Sequence, residues 1–340
     1  MLAPPVIDWL EQTLQQHNLQ CTPVTGGANN LGVKIEAGGQ TWFLKCFEAT
    51  HLNTRQKQLN EFMFSQAIYN AGTLATPKPI AINATHNVSL FEYIAGSKVE
   101  QATSSAITAA ISFVKSINSS APKQALNIAS ESADSLLGFA DIVKNRLAKF
   151  SHTRLDNAQL YCELQLTLNN IRDRYNTVTQ EIPTHWTKKI DQNVVSPSDF
   201  GFHNAISRDN QFYFIDFEYA GMDTAWKLFA DFFSQPAVPV DIAYANKFLS
   251  LAIFQPLKLN PQDTLKVFEL TLLKWCLIML NEFLPDVQAR RIFSWNISCI
   301  NEQKRMLDNV QRAQLHKCNA YFKEIPLKVM GLSETLREIT

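Results

Sequence analysis

VVSPSDFGFHNAISRDNQFYFIDFEYAG, residues 194–221, is an island of β-type sequence inside a long helical region. Asp199 and Asn204 stand in a D-x-x-x-x-N spacing, and Asp216 follows a dozen residues later within Ile215-Asp216-Phe217-Glu218. Between them lies the strand-like run Gln211-Phe212-Tyr213-Phe214-Ile215, entered through the turn residues Arg208-Asp209-Asn210. A loop, a strand and a second loop would bring Asp199, Asn204 and Asp216 to one edge. Read singly, Asp199 caps a turn and Asp216 ends a strand, as acidic residues often do.

Upstream, residues 4–17 have helical spacing through Val6, Trp9, Leu10, Leu14 and His17. Val33-Lys34-Ile35-Glu36 alternates, Gly38-Gly39 supplies a hairpin turn, and residues 41–47 form a strand rich in aromatics. Residues 54–71 return to helical spacing and stop at Ala71-Gly72, a C-cap signal. Residues 79–83 and 88–94 read as two more strands. Beyond Ala95-Gly96 the pattern predicts helices at 103–118, 131–149, 156–180 and 223–233, continuing in pieces to the end. A small sheet with a helix, followed by a large helical region that holds a β island, predicts an α+β chain.

Composition narrows the function. The 340 residues exceed what one hydrophobic core usually holds, so two lobes are expected. Lys plus Arg equals Asp plus Glu at 31 each, which gives no basic excess for a nucleic-acid or membrane surface. Six cysteines are scattered without a C-x-x-C pair or metal-ligand spacing, as in reduced core thiols. The first residues lack a basic segment followed by an apolar one, so no signal peptide is expected. Residues 267–284 are apolar but carry Glu269, Lys274 and Glu282, which reads as a buried helix rather than a span of about 20 apolar residues. A cytoplasmic protein is expected.

The 194–221 pattern suits phosphoryl transfer, which asks little covalent chemistry of a protein. It asks for a carboxylate near the attacking hydroxyl, oxygen ligands for Mg²⁺ and a fixed line of attack. These loops resemble the catalytic and metal-binding loops of the aminoglycoside phosphotransferase and choline kinase superfamily, distant relatives of protein kinases. The resemblance implies a bilobal protein-kinase-like fold. Residues 1–94 would form a nucleotide-binding lobe with a small antiparallel sheet plus helix. Residues 95–340 would form a large, mostly helical catalytic and substrate-binding lobe. It implies an ATP-dependent small-molecule kinase with ATP and Mg²⁺ as cofactors and a small-molecule hydroxyl as acceptor, a sugar or sugar-like group being preferred.

Residue by residue, the resemblance makes Asp199 the catalytic base, or the group that orients the hydroxyl, with Asn204 and Asp216 as metal ligands. Glu218 stands where the protein-kinase D-F-G triplet has glycine. The run Thr25-Gly26-Gly27-Ala28-Asn29-Asn30-Leu31-Gly32-Val33 looks like the family's G-G-x-x-N phosphate loop, with Gly26, Gly27 and Asn29 as candidate nucleotide contacts, although it is equally a turn signal. Lys45, ending an apolar strand, would bind the α- and β-phosphates, paired with Glu61 on the following helix. Glu92, Tyr93 and Ile94 would form the hinge that borders the adenine, chiefly through its backbone.

One departure stands out. Protein kinases have a histidine two residues before the catalytic aspartate, and this chain has Pro197. His203 is a candidate contact to phosphate or substrate, or a structural histidine. Arg55 is a candidate phosphate contact or a solvated residue. Asp231 is a candidate support for the catalytic loop or an ordinary helix residue. Lys274 and Asn281, like Trp275 and Glu282, are seven apart on one face, so they line an acceptor pocket or belong to a core helix. The competing reading of the whole chain is a catalytically inactive nucleotide-binding scaffold. A protein kinase ranks lower, since no A-P-E segment follows Asp216.

Overall fold

In the computed structural model the described residues are 2–24, 30–47, 54–295, 297 and 299–339. By packing, the chain divides into two compact units. One comprises Met1–Ser130 with Val195–Met222, the other Glu131–Val194 with Asp223–Thr340.

The first unit opens with α1 (Pro4–Leu14) and a sheet built from β1 (Gln20–Val24), β2 (Leu31–Ala37), β3 (Gln40–Cys46), β4 (Pro79–Asn83) and β5 (Val88–Glu92). Its antiparallel order is β1-β2-β3-β5-β4. Strand β1 had no counterpart in the sequence reading. It lies at the sheet edge and is exposed throughout, so alternation could not reveal it. An edge is where its Pro23 costs no ladder hydrogen bond. The β2–β3 hairpin closes with Ala37 opposite Gln40, and Gly38 and Gly39 both take positive φ, 55° and 75°. Two positive φ values in a two-residue loop match the right-handed twist of the flanking strands.

Val33 and Ile35 of β2, Trp42 and Leu44 of β3, and Val88 and Leu90 of β5 point to one face, where Val6 and Leu10 of α1 cover them. Helix α1 is shorter than its spacing suggests. Gln15 turns into the left-handed region, which ends the helix before His17. Helix α2 (Thr54–Asn70) ends in a Schellman arrangement, with Gly72 at φ 96°, its N–H on the Tyr69 carbonyl and the Thr73 N–H on that of Ile68.

The same unit contains β6 (Ser97–Lys98), α3 (Ser104–Ser120), β8 (Ala205–Arg208) and β9 (Gln211–Phe214), with β7 (Val194–Ser196) and β10 (Gly221–Asp223) as a ribbon where the chain enters and leaves it. The β8–β9 hairpin turns on Asp209 and Asn210, both at positive φ, as the turn residues predict. Phe113 of α3 packs on Phe200, Phe214 and Phe217, so the loops on both sides of β9 rest on one aromatic cluster.

The second unit is helical: α4 (Leu136–Ala148), α5 (Ala158–Thr179), α6 (Ala225–Ser234), α7 (Ala245–Leu249), α8 (Gln255–Leu259), α9 (Pro261–Met279), α10 (Pro285–Trp295) and α11 (Ile300–Ile339). Helix α6 begins where the Asp-Thr signal places it, with the Thr224 hydroxyl accepting from the Lys227 N–H. Helix α9 runs through the apolar stretch read from sequence, and no helix among the described residues is long and apolar enough to cross a membrane. All six cysteines are free thiols. Only Cys276 and Cys318 are buried; Cys21, Cys162 and Cys299 are exposed, so the reading of small core residues holds for part of the set.

Candidate active site

Lys45 points out of β3 opposite Ser89 of β5 and is buried. An unpaired ammonium there would be costly, so its partners decide its state. Its Nζ lies 2.7 Å from Glu61 Oε2 on α2 and 2.7 Å from Asp216 Oδ1 beyond β9. Burial alone would lower the lysine pKa, but Asp216, Glu61 and Glu218 outweigh it and raise the value, so Lys45 is cationic. The two carboxylates then compete for one ammonium. Burial pushes Glu61 up to about 7, against the pull of Lys45 and with help from Asp216. Burial would raise Asp216 too, but Lys45, its hydrogen bond, His203 and Lys57 together hold it below the ordinary value. Asp216, whose side chain is 41% exposed, is therefore the ionised member that can meet a cation.

The backbone is under tension at two points. Ser198 sits at φ 66° and Asp216 at φ 67°, both in the left-handed region that favours glycine. Ser198 is braced by its N–H on the Ser196 hydroxyl at 3.0 Å. This sharp turn directs Asp199, with a side chain 34% exposed, out of the loop. Asn204 follows in a short 3-10 turn, Phe202–Asn204. Its Nδ2 donates to the Asp199 carbonyl at 3.0 Å and reaches Asp199 Oδ2 at 3.5 Å. The amide nitrogen is thus committed, leaving Oδ1 as the end suited to a metal.

His203 occupies a place that the sequence left open. Its Nε2 lies 3.2 Å from Asp199 Oδ1, while Nδ1 is buried with no hydrogen-bond partner among the described residues. Nε2–H donating to the carboxylate accounts for the 3.2 Å contact and leaves Nδ1 as the unpartnered atom. The aspartate is therefore gripped from downstream, while upstream Pro197 brings no side-chain donor. His203→Ala is expected to lower kcat about 10-fold with little change in the KM for nucleotide, as for loss of one orienting hydrogen bond. Steady-state kinetics check this, and a change confined to the nucleotide KM would remove His203 from the orienting role.

Glu92 closes β5 opposite Trp42, with its N–H on the Lys78 carbonyl, and Tyr93–Gly96 follow without regular secondary structure. Ile94 is buried and Lys34 approaches the ring of Tyr93. Gly26, Gly27 and Asn29 lie outside the described residues; Asn30 just beyond them donates to Glu218 Oε2 at 3.3 Å. Arg55 is exposed, which suits the solvated alternative. Lys45, Glu61 and Asp216 thus converge, and so do Asp199, His203 and Asn204.

In the second unit, Asp231 is bound by Lys227 at 3.3 Å and by Lys274. Asp223 takes Lys227 at 2.9 Å and the Ser132 hydroxyl at 2.7 Å. Lys274 is buried, and with Glu131, Lys227, Thr271 and three apolar side chains it lines a cavity of about 10 Å³, room for no more than a water. Glu282 is engaged by Arg291, and Asn281 falls in the 3-10 turn after α9. For Lys274 and Glu282 the core-helix alternative is the one that packing favours.

The model of the phosphotransferase enzyme family matches residues 20–244. Among solved structures, a spectinomycin phosphotransferase determined with ADP and spectinomycin superposes with a TM-score of 0.55 at 11% identity, over 94% of this chain and 98% of that one. A choline/ethanolamine kinase family protein from Mesorhizobium loti superposes with a TM-score of 0.51 at 13% identity, over 96% and 99%. At such identities the likeness is one of fold: the small antiparallel sheet followed by a larger helical part is the kinase-like fold of these proteins. No curated protein matches the chain.

Proposed function

Because the chain belongs to the phosphotransferase enzyme family, we propose that it moves the γ-phosphoryl group of ATP to a hydroxyl of a small metabolite. The observation that carries this reading is the buried Lys45 bridging Glu61 and Asp216 at 2.7 Å each, with the Asp199–Asn204 pair on the loop before β8. A sugar or sugar-like acceptor is the class we favour. The division by chemistry into residues 1–94 for nucleotide and 95–340 for catalysis and acceptor belongs to the same reading, as does a cytoplasmic location.

Asp199 orients the acceptor hydroxyl and takes its proton as the new oxygen–phosphorus bond forms and the bond from the γ-phosphorus to the β,γ-bridging oxygen breaks, releasing ADP. His203 and the Asn204 amide hold the carboxylate in line. Lys45 meets the α- and β-phosphates, kept cationic by Asp216 and Glu61. Residues 92–94 border the adenine. The donors present fit Mg²⁺: Asp216 is ionised and partly exposed, and Asn204 offers Oδ1. Among the described residues no group of three or more His, Cys, Asp or Glu side chains is arranged to hold a metal alone. A carboxylate and an amide completed by phosphate oxygens is how Mg²⁺ is commonly held. When bound, the ion neutralises charge across the β- and γ-phosphates.

The test is Mg²⁺-dependent conversion of ATP to ADP with a panel of sugars, amino alcohols and aminoglycosides, read by a mass gain of one phosphate on the acceptor. A phosphorylated product that disappears when Mg²⁺ is chelated is expected. ATP binding without turnover on any acceptor would favour the nucleotide-binding scaffold instead.

A further inference from the structure

Helix α2 does more than carry Glu61. Lys57, Asn60 and Glu61 fall at i, i+3 and i+4, on one face of the helix. Lys57 Nζ donates to the Tyr219 hydroxyl at 2.7 Å and lies 3.3 Å from Glu218 Oε1. Asn60 Nδ2 donates to the main-chain carbonyls of Glu218 at 3.3 Å and Ala220 at 2.8 Å. Asn30, at the start of β2, holds the other Glu218 oxygen. The segment that leaves Asp216 at φ 67° is therefore fastened at successive residues, main chain and side chain alike, to the helix that also supplies Glu61.

Charge gives the clamp its purpose. The Glu218 side chain is only 4% exposed and sits two residues from Asp216. A buried carboxylate is costly without a counter-charge. Lys57, 3.3 Å from Oε1, supplies that counter-charge, so a glutamate is tolerated here.

We propose that Lys57 and Asn60 are positioning residues that clamp residues 218–220 to α2 and so fix, two residues upstream, the Asp216 carboxylate for its metal. The metal half rests on the kinase reading above; the clamp itself does not. On the full-length protein without nucleotide, hydrogen exchange read by mass spectrometry is expected to rise at least several-fold across 216–222 in Lys57→Met and in Asn60→Leu. Exchange in β2 and β3 is expected to stay unchanged, and Lys57→Arg to behave nearly as wild type. Calorimetry then compares ATP affinity with Mg²⁺ and with chelator. The Mg²⁺-dependent part is expected to fall about 10–100-fold, as for loss of a group that orients a metal ligand, with metal-free affinity unchanged.

Adding Glu218→Gln to Lys57→Met removes the orphaned charge and should recover much of the exchange protection, which also covers a single variant that folds poorly. Unchanged exchange at 216–222 overturns the clamp. Equal loss of metal-free and metal-dependent affinity overturns the positioning role in favour of a purely structural one. A wild type with no Mg²⁺-dependent ATP affinity overturns the kinase reading instead, with the exchange result still judging the clamp.

Discussion

Asp199→Asn is expected to lower kcat by about 10²–10⁴-fold, the span associated with a positioned acid–base group, and to leave the KM for nucleotide within a few-fold of wild type. The exchange is isosteric and removes the negative charge, and with it the proton acceptor that the proposed reaction assigns to Asp199. Stability should change little, because Asp199 is a third exposed and its neighbours His203 and Asn204 are hydrogen-bond donors rather than buried cations that need its charge. A thermal melt within a few degrees of wild type, together with turnover on the acceptor found by the screen, separates lost chemistry from lost fold. If kcat survives to within a few-fold, the carboxylate is a loop residue and the phosphotransfer reading needs another base. The same measurement on His203→Ala ranks the two: a far smaller loss there means that the histidine orients and the aspartate reacts.

The parts of this site that sequence revealed are those encoded within a few residues. The Asp209-Asn210 turn and the Thr224 cap are such local chemistry. The Lys45–Glu61 pair, 16 residues apart, is implied by the family resemblance instead, and the geometry joins the two side chains. The Asp199–His203 contact was within reach at i+4, but it needs the 3-10 turn at Phe202–Asn204, for which the sequence has no strong signal. Positive φ at Ser198 and Asp216 could not be foreseen, because neither residue announces it as glycine would. Lys57 and Asn60 read as an ordinary polar helix face. Their partners lie about 160 residues away, and only packing brings them together. The helical spacing they share with Glu61 was the one available hint.

Lys274→Met is the substitution expected to cost most stability. Asp223, Lys227, Asp231 and Lys274 are all buried, two charges of each sign. Burial would raise the Asp231 carboxyl, but Lys274 and then Lys227 hold it below its ordinary 3.8. Burial would likewise lower Lys227, and Asp223 and Asp231 raise it above its ordinary 10.5. A depressed acid gives stability that is complete above about 4 and fades as pH falls through the lower folded value. A raised base gives stability that is complete below about 10 and fades only above it. The contributions of Asp231 and Lys227 are therefore insensitive to pH between those limits. Removing Lys274 leaves Asp231 to share Lys227 with Asp223, one buried negative charge in excess, at a cost of about 3–5 kcal/mol. The melting temperature should drop on the order of 10 °C at pH 7.5. The deficit should shrink as pH is lowered toward 5, because the unpaired carboxyl can then take up a proton. The double variant Lys274→Met/Asp231→Leu leaves Asp223 paired with Lys227 and should recover most of the loss, as buried pairs replaced by apolar groups often do. If Lys274→Met instead melts like wild type and loses only affinity for the acceptor, Lys274 belongs to a binding pocket after all, and the reading of this cluster as the charged core of the helical unit fails.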